Sequence, residues 1–268
     1  MRMLALLIPT ILLAACSDPD AAKPPAPTAT ETKAGATAAT PAPLASARAV
    51  KEDSELYQFG YAYPAAAAVI PALKAQLDAD LDKQKAELVA EATEAKQGAE
   101  KDGYPYRTYS RSYDWKVVTD TPGWLSLSSI VSTYTGGAHP NYVFDSILWD
   151  KQAGQRREAK DMFVSKEALA KAIQPEFCRQ IDQQRTKKRG EPVKRSSDGL
   201  FSDCLDPTAY TVILGSSHGK AFDRIGILVP PYEEGPYVEG DYEATIPVTA
   251  AILETVKPEF RSSFVAAR

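Results

Sequence analysis

His139 and His218 are the only two imidazoles in the chain, and they limit how far a catalytic reading can go. A metal hydrolase would place a His pair about one helical turn apart, so that both rings meet one ion. Here the two stand 218 − 139 = 79 positions apart, each in a turn-like stretch. They read as structural turn residues in preference to metal ligands. Ser216-Ser217-His218 invites a nucleophile reading. Adjacent residues of an extended turn point in different directions, however, and no G-x-S-x-G elbow is present. Glu233-Glu234 and Glu239 with Asp241 are carboxylate pairs on one late loop. General acid–base work would require an apolar pocket to raise one of them. No phosphate loop and no dinucleotide fingerprint occurs, so no cofactor is expected.

What remains is surface chemistry. Tyr134-Thr135-Gly136-Gly137-Ala138-His139-Pro140-Asn141-Tyr142 joins two strand-like runs. Gly136 and Gly137 permit positive φ, while Pro140 stiffens the exit and pushes His139 toward extended backbone. Later, Pro230-Pro231-Tyr232-Glu233-Glu234-Gly235-Pro236-Tyr237 carries two tyrosines on a proline-stiffened loop. Large amphipathic side chains on such a loop make binding anchors at low entropic cost. Tyr134, Gly136, Gly137, His139, Tyr142, Pro230, Tyr232, Pro236 and Tyr237 are therefore the candidate binding surface, with no catalytic or metal-binding residue assigned.

The elements that position these residues follow from periodicity. Tyr57, Phe59, Tyr61 and Tyr63 alternate, which predicts a strand with one aromatic core face. From Ile70 to Gly98 the period turns helical. Leu73, Leu77, Leu81 and Leu88 share a stripe that Ala92 and Ala95 continue, and Gly98 and Gly103 close the helix. Arg111–Thr119, Trp124–Ser132 and Tyr142–Trp149 alternate and are joined by short turns, the pattern of an antiparallel meander, with Tyr113, Trp115 and Val117 on one side. Ser165 is the predicted N-cap of a second helix striped by Leu169, Ile173, Phe177 and Ile181, which Pro175 should kink or interrupt. Arg185, Lys187, Lys188, Arg189, Lys194 and Arg195 read as a solvated helix end in preference to an anion site. Tyr210–Leu214, Phe222–Val229 and Tyr242–Pro247 are further strands, and Thr249–Val256 a short helix. The expected fold is α+β: antiparallel sheet with a long amphipathic helix and a second helix packed on it.

The ends and the cysteines place the protein. Arg2, a short apolar run from Leu4 to Leu13, and Leu13-Ala14-Ala15-Cys16 resemble a bacterial lipoprotein signal cleaved before a lipidated Cys16. Residues 1–15 are then the signal peptide. Residues 16–50, rich in Ala, Pro and Thr, are a lipid-anchored disordered tether. Residues 54–150 and 151–268 form two subdomains. Ser17 stands where an inner-membrane retention signal would place Asp, so the outer membrane is expected over the inner, with the folded part in the periplasm. In that oxidising compartment the remaining pair, Cys178 and Cys204, should form a disulfide. A net charge of −4 supplies no basic field for nucleic acid.

Tyr134-Thr-Gly-Gly-Ala-His139 before a strand, and Val-Pro-Pro-Tyr…Gly-Pro-Tyr…Gly240 before a strand ending Ile246-Pro247, resemble the extracytoplasmic domain shared by the RsiV and PdaC families, a pairing of domains of unknown function. The resemblance spans about residues 54–260. It implies an α+β module. In RsiV, an anti-sigma factor, the outer domain binds lysozyme. In PdaC, a peptidoglycan deacetylase, the chemistry sits in a separate domain. No catalytic residue carries over. The expectation is a non-enzymatic envelope lipoprotein that binds peptidoglycan or a lysozyme-like muramidase. The alternatives are a cell-wall glycan hydrolase or deacetylase using His139 with Glu233, Glu239 or Asp241, or a structural envelope-assembly factor.

Overall fold

A computed structural model describes residues 46–195 and 200–268. The expected signal peptide, Cys16 and most of the expected tether lie outside the described residues. Folded structure begins inside the stretch expected to be tether: β1 spans Arg48–Asp53 and pairs antiparallel with β2, Tyr57–Tyr63. After a single-turn helix α1 (Ala65–Ala68), the long helix α2 runs Pro71–Asp102. It leads into β3 (Tyr109–Asp120), β4 (Trp124–Tyr134), β5 (Asn141–Asp150) and β6 (Gln155–Arg157). These six strands form one sheet in chain order.

The sheet is α+β as expected, with one junction that corrects the antiparallel reading. β2 and β3 are parallel. A helix between two strands of one sheet carries the chain back to its starting end, so the second strand runs the same way as the first. α2 is that crossover. Leu73, Leu77, Leu81, Leu88 and Ala92 are buried along it. The four leucines lie over Phe59, Tyr61, Tyr63 and Trp115, so these alternating aromatics of β2 are core. Their hydroxyls reach the polar flank of the helix, Tyr61 to Asp80 at 2.8 Å and Tyr63 to Asp78 at 2.6 Å. Gly98 does not end α2. One interior glycine costs about 1 kcal/mol, and the stripe continues past it to buried Ala99. Gly103, at φ +75°, makes the stop. Val117 is not core either. The register of β3 on β4 shifts between Val117 and Thr119, leaving Val117 exposed and Thr119 buried.

The second core gathers around β7 (Thr211–Gly215), β8 (Arg224–Val229) and β9 (Tyr242–Pro247), an antiparallel three-stranded sheet. Helix α3, Lys166–Arg189, packs Leu169, Ile173, Phe177 and Ile181 into it, all fully buried. The Ser165 hydroxyl caps α3 by accepting from the Ala168 N–H at 3.0 Å. Pro175 does not interrupt the helix. It lies on the exposed side between Ile173 and Phe177, whose burial holds the axis through it. Gln180 and Gln184 then treat the edge of β9 as a partner strand, each bonding both an N–H and a C=O, of Thr245 and Glu243 respectively. The four residues from Gln180 to Gln184 rise about 6 Å along the helix and two strand residues about 6.8 Å, so the two spacings match closely enough for both amides to bond. α4, Ala250–Thr255, packs beside α3 and adds Ile252 to the same core. Trp124 and Leu148 of the first sheet belong to this second core, which joins the two halves. Cys178 of α3 and Cys204 form a disulfide with Cα atoms 5.5 Å apart. No helix among the described residues is long and apolar enough to cross a membrane.

Candidate functional site

The β4–β5 turn and the loop between β8 and β9 meet. Gly136 takes φ +84°, and the Arg107 guanidinium bonds the carbonyls of Gly136 and Gly137 at 3.3 and 3.1 Å. The Tyr134 hydroxyl adds a bond to the Gly137 carbonyl at 3.0 Å. Thus Tyr134, Gly136 and Gly137 shape the turn, and the turn presents His139 to solvent.

His139 stacks on Tyr237, ring centroids 3.8 Å apart and 23° between planes. Its Nε2 lies 3.1 Å from the Tyr232 hydroxyl, and its Nδ1 lies 2.8 Å from the Pro140 carbonyl. Tyr232 and Tyr237 are themselves 5.4 Å apart. The Tyr237 hydroxyl donates to the Pro140 carbonyl at 2.7 Å, crossing from one loop to the other. Below this cluster the Tyr142 hydroxyl donates to Asp241 at 2.6 Å and accepts the Asp241 N–H at 3.2 Å. Burial, then the Asp241 carboxylate, push the Tyr142 phenol up to about 12. Tyr232 is 48% exposed and sits at φ +74°, a conformation few residues with a Cβ adopt. Val238, next to Tyr237 in the chain, is 90% exposed. Pro236 opens a tight turn over Tyr237–Glu239. Pro230 instead lines a groove of about 350 Å³ with Val143, Phe144, Thr211 and Glu233.

What clamps the late loop was not read from the sequence. Lys187, Lys194 and Arg195 are exposed as expected of a solvated helix end, but Arg185, Lys188 and Arg189 turn into the loop. Arg185 and Glu234 form an ion pair with no exposed side-chain surface on either partner. Arg185 Nε also donates to the Glu234 carbonyl at 2.9 Å, and its Nη1 to the Asp203 carbonyl at 2.8 Å. Glu234 additionally accepts from the Leu205 N–H at 3.3 Å and the Tyr210 hydroxyl at 3.4 Å. Burial pushes its carboxyl upward against these partners. Arg189 grips Glu239 with two bonds, at 2.8 and 3.0 Å, and the buried Tyr242 hydroxyl donates to the same carboxylate. Burial would raise the Glu239 carboxyl, but Arg189 and Tyr242 outweigh it and hold it below its usual range. Lys188 Nζ lies 3.8 Å over the Tyr242 ring and donates to the Glu239 and Asp241 carbonyls. A signal was available. The period-four stripe through residues 169, 173, 177 and 181 continues to 185, so Arg185 had to be buried and therefore paired.

These commitments bear on chemistry. Both His139 nitrogens face neutral oxygens, and Glu234, Glu239 and Asp241 are each bonded elsewhere. At the other turn, Ser217 donates directly to Asp223, while His218 Nε2 is 3.9 Å from that carboxylate. A triad needs the imidazole between hydroxyl and acid, and here it is beside them. Among the described residues no cluster of three or more His, Cys, Asp or Glu side chains could hold a metal.

Residues 50–142 match the family model of deacetylase PdaC. The match runs from β1 to the start of β5, less than half of the chain, and includes the His139 turn but not the late loop. Among solved structures, the chain resembles a member of the DUF3298 family from Bacteroides fragilis at 15% identity and TM-score 0.51, covering 81% of this chain and 95% of that one. A DUF3298 family protein from Pseudomonas aeruginosa aligns at 16% identity and TM-score 0.45, over 84% and 98% of the two chains. No curated protein sequence matches. The chain is thus similar to PdaC-type sequences from β1 to the β4–β5 turn and shares its fold with the Bacteroides protein, a member of a family of unknown function.

Proposed function

We propose that this protein is a non-catalytic, lipid-anchored envelope module that binds peptidoglycan or a lysozyme-like muramidase through His139, Tyr232 and Tyr237. One observation carries the reading. Two loops distant in sequence converge on a stacked, cross-bonded aromatic surface, and the late loop is clamped from beneath by three α3 cations. Such pre-organisation lowers the entropic cost of binding, and exposed Tyr232 and Val238 supply apolar contact area. The similarity to PdaC supports a wall-related ligand, and Cys16 would tether the module at the outer membrane.

Immobilised protein is expected to retain sacculi or lysozyme. Tyr232→Ala combined with Tyr237→Ala should cut retention by about tenfold or more while the melting temperature stays near wild type. Equal retention by the double variant would remove the site. Turnover of wall glycan by the purified protein, abolished by His139→Ala, would replace binding with catalysis.

A further inference from the structure

The disulfide lies beside the clamp. Asp203 and Leu205 flank Cys204, and each gives a backbone group to the buried pair: the Asp203 carbonyl to Arg185, the Leu205 N–H to Glu234. Among the described residues, Arg189 Nη1 also bonds the Phe201 carbonyl at 3.3 Å and Gln174 the Leu205 carbonyl at 3.4 Å, both long. Phe201 itself sits at φ +59°, a strained conformation that needs holding. The covalent bond to Cys178 thus lies between the two backbone partners of a charge pair whose side chains have no exposed surface. Cys204 is half-exposed and its neighbours Asp203, Leu205 and Asp206 are exposed, so a reductant can reach it.

We propose that the Cys178–Cys204 disulfide is a redox switch on the aromatic binding surface. A thiolate of a dithiol reductant attacks Cys204 Sγ, and Cys178 leaves as a thiolate and takes a proton. The second thiol of the reductant then closes that reductant's own disulfide and releases Cys204 as a thiol. Two electrons and two protons pass from the reductant to the pair. The 201–206 segment is then free to lift, taking the Asp203 carbonyl and the Leu205 N–H with it. Water reaches Arg185 and Glu234, the pair loses its reason to stay packed, and Tyr232 and Tyr237 lose their fixed placement. The oxidised protein presents the surface and the reduced protein releases it.

This rests on His139, Tyr232 and Tyr237 being the binding surface, but its test needs no ligand. Amide hydrogen exchange is measured on the full protein, oxidised and after reduction by a dithiol. Reduction should speed exchange about tenfold or more across residues 232–241, with α2 and the six-stranded sheet unchanged. Glu234→Gln in the oxidised protein should loosen the same residues with the disulfide intact. Unchanged exchange at 232–241 on reduction would overturn the switch. So would uniform loss of protection throughout the molecule, which would make the bond a general staple. Altered exchange without any captured ligand would keep the switch and sink the binding reading instead.

Discussion

Arg185→Ala costs about 3–5 kcal/mol of folding stability, the loss expected when one partner of a buried ion pair is removed and the other is left uncompensated. Glu234 has no exposed surface to turn toward water, and its remaining partners, the Leu205 N–H and the Tyr210 hydroxyl, are long bonds. Denaturant unfolding of the variant at neutral pH reads the loss. The double change Arg185→Met with Glu234→Leu should recover most of it, since apolar residues of similar size fill the space without a charge to bury. A loss below about 1 kcal/mol for Arg185→Ala would mean that the pair is hydrated and the loop is not clamped through it.

Gly235→Ala tests the same clamp by steric means. A Cβ at this position would lie 2.9 Å from the Tyr242 hydroxyl and 3.1 Å from the Glu239 carboxyl carbon. Neither group can retreat: Tyr242 is fully buried and Glu239 is held by two bonds from Arg189. Overpacking of this kind costs about 1–3 kcal/mol, and here the strain falls between the two tyrosines of the loop. Stability should drop by that amount, and proteolysis should begin within residues 230–241. Wild-type stability with an intact loop would show that the carboxylate and phenol have room to move.

Much of the scaffold could be read directly. The leucine stripe of α2 and the Leu169–Ile181 stripe of α3 are strong period signals, and both helices form where those stripes lie. The direction of β3 was not legible, because alternation looks the same in a parallel and an antiparallel strand and only the crossover decides. Pro175 and Gly98 were overruled by the burial of their neighbours, a tertiary effect that local propensity does not contain. At the site, His139, Tyr232 and Tyr237 were each chosen for side-chain type on a stiff loop. Their stacking on one another is set by where the β5 and β9 ends lie in space, with Tyr142 and Asp241 locking the two loops together. No local pattern encodes that contact. Arg185 is the opposite case: the stripe pointed to it, and its charge masked the signal.

On the proposed reading the two loops act as one binding surface. That is tested most directly by mapping the amides protected from hydrogen exchange when lysozyme or a soluble peptidoglycan fragment is added to the oxidised protein. Protection on both residues 134–142 and 230–241, lost together in Tyr237→Ala, is the predicted result. Saturable binding whose protection falls on other residues, with both loops exchanging as in the free protein, would contradict it.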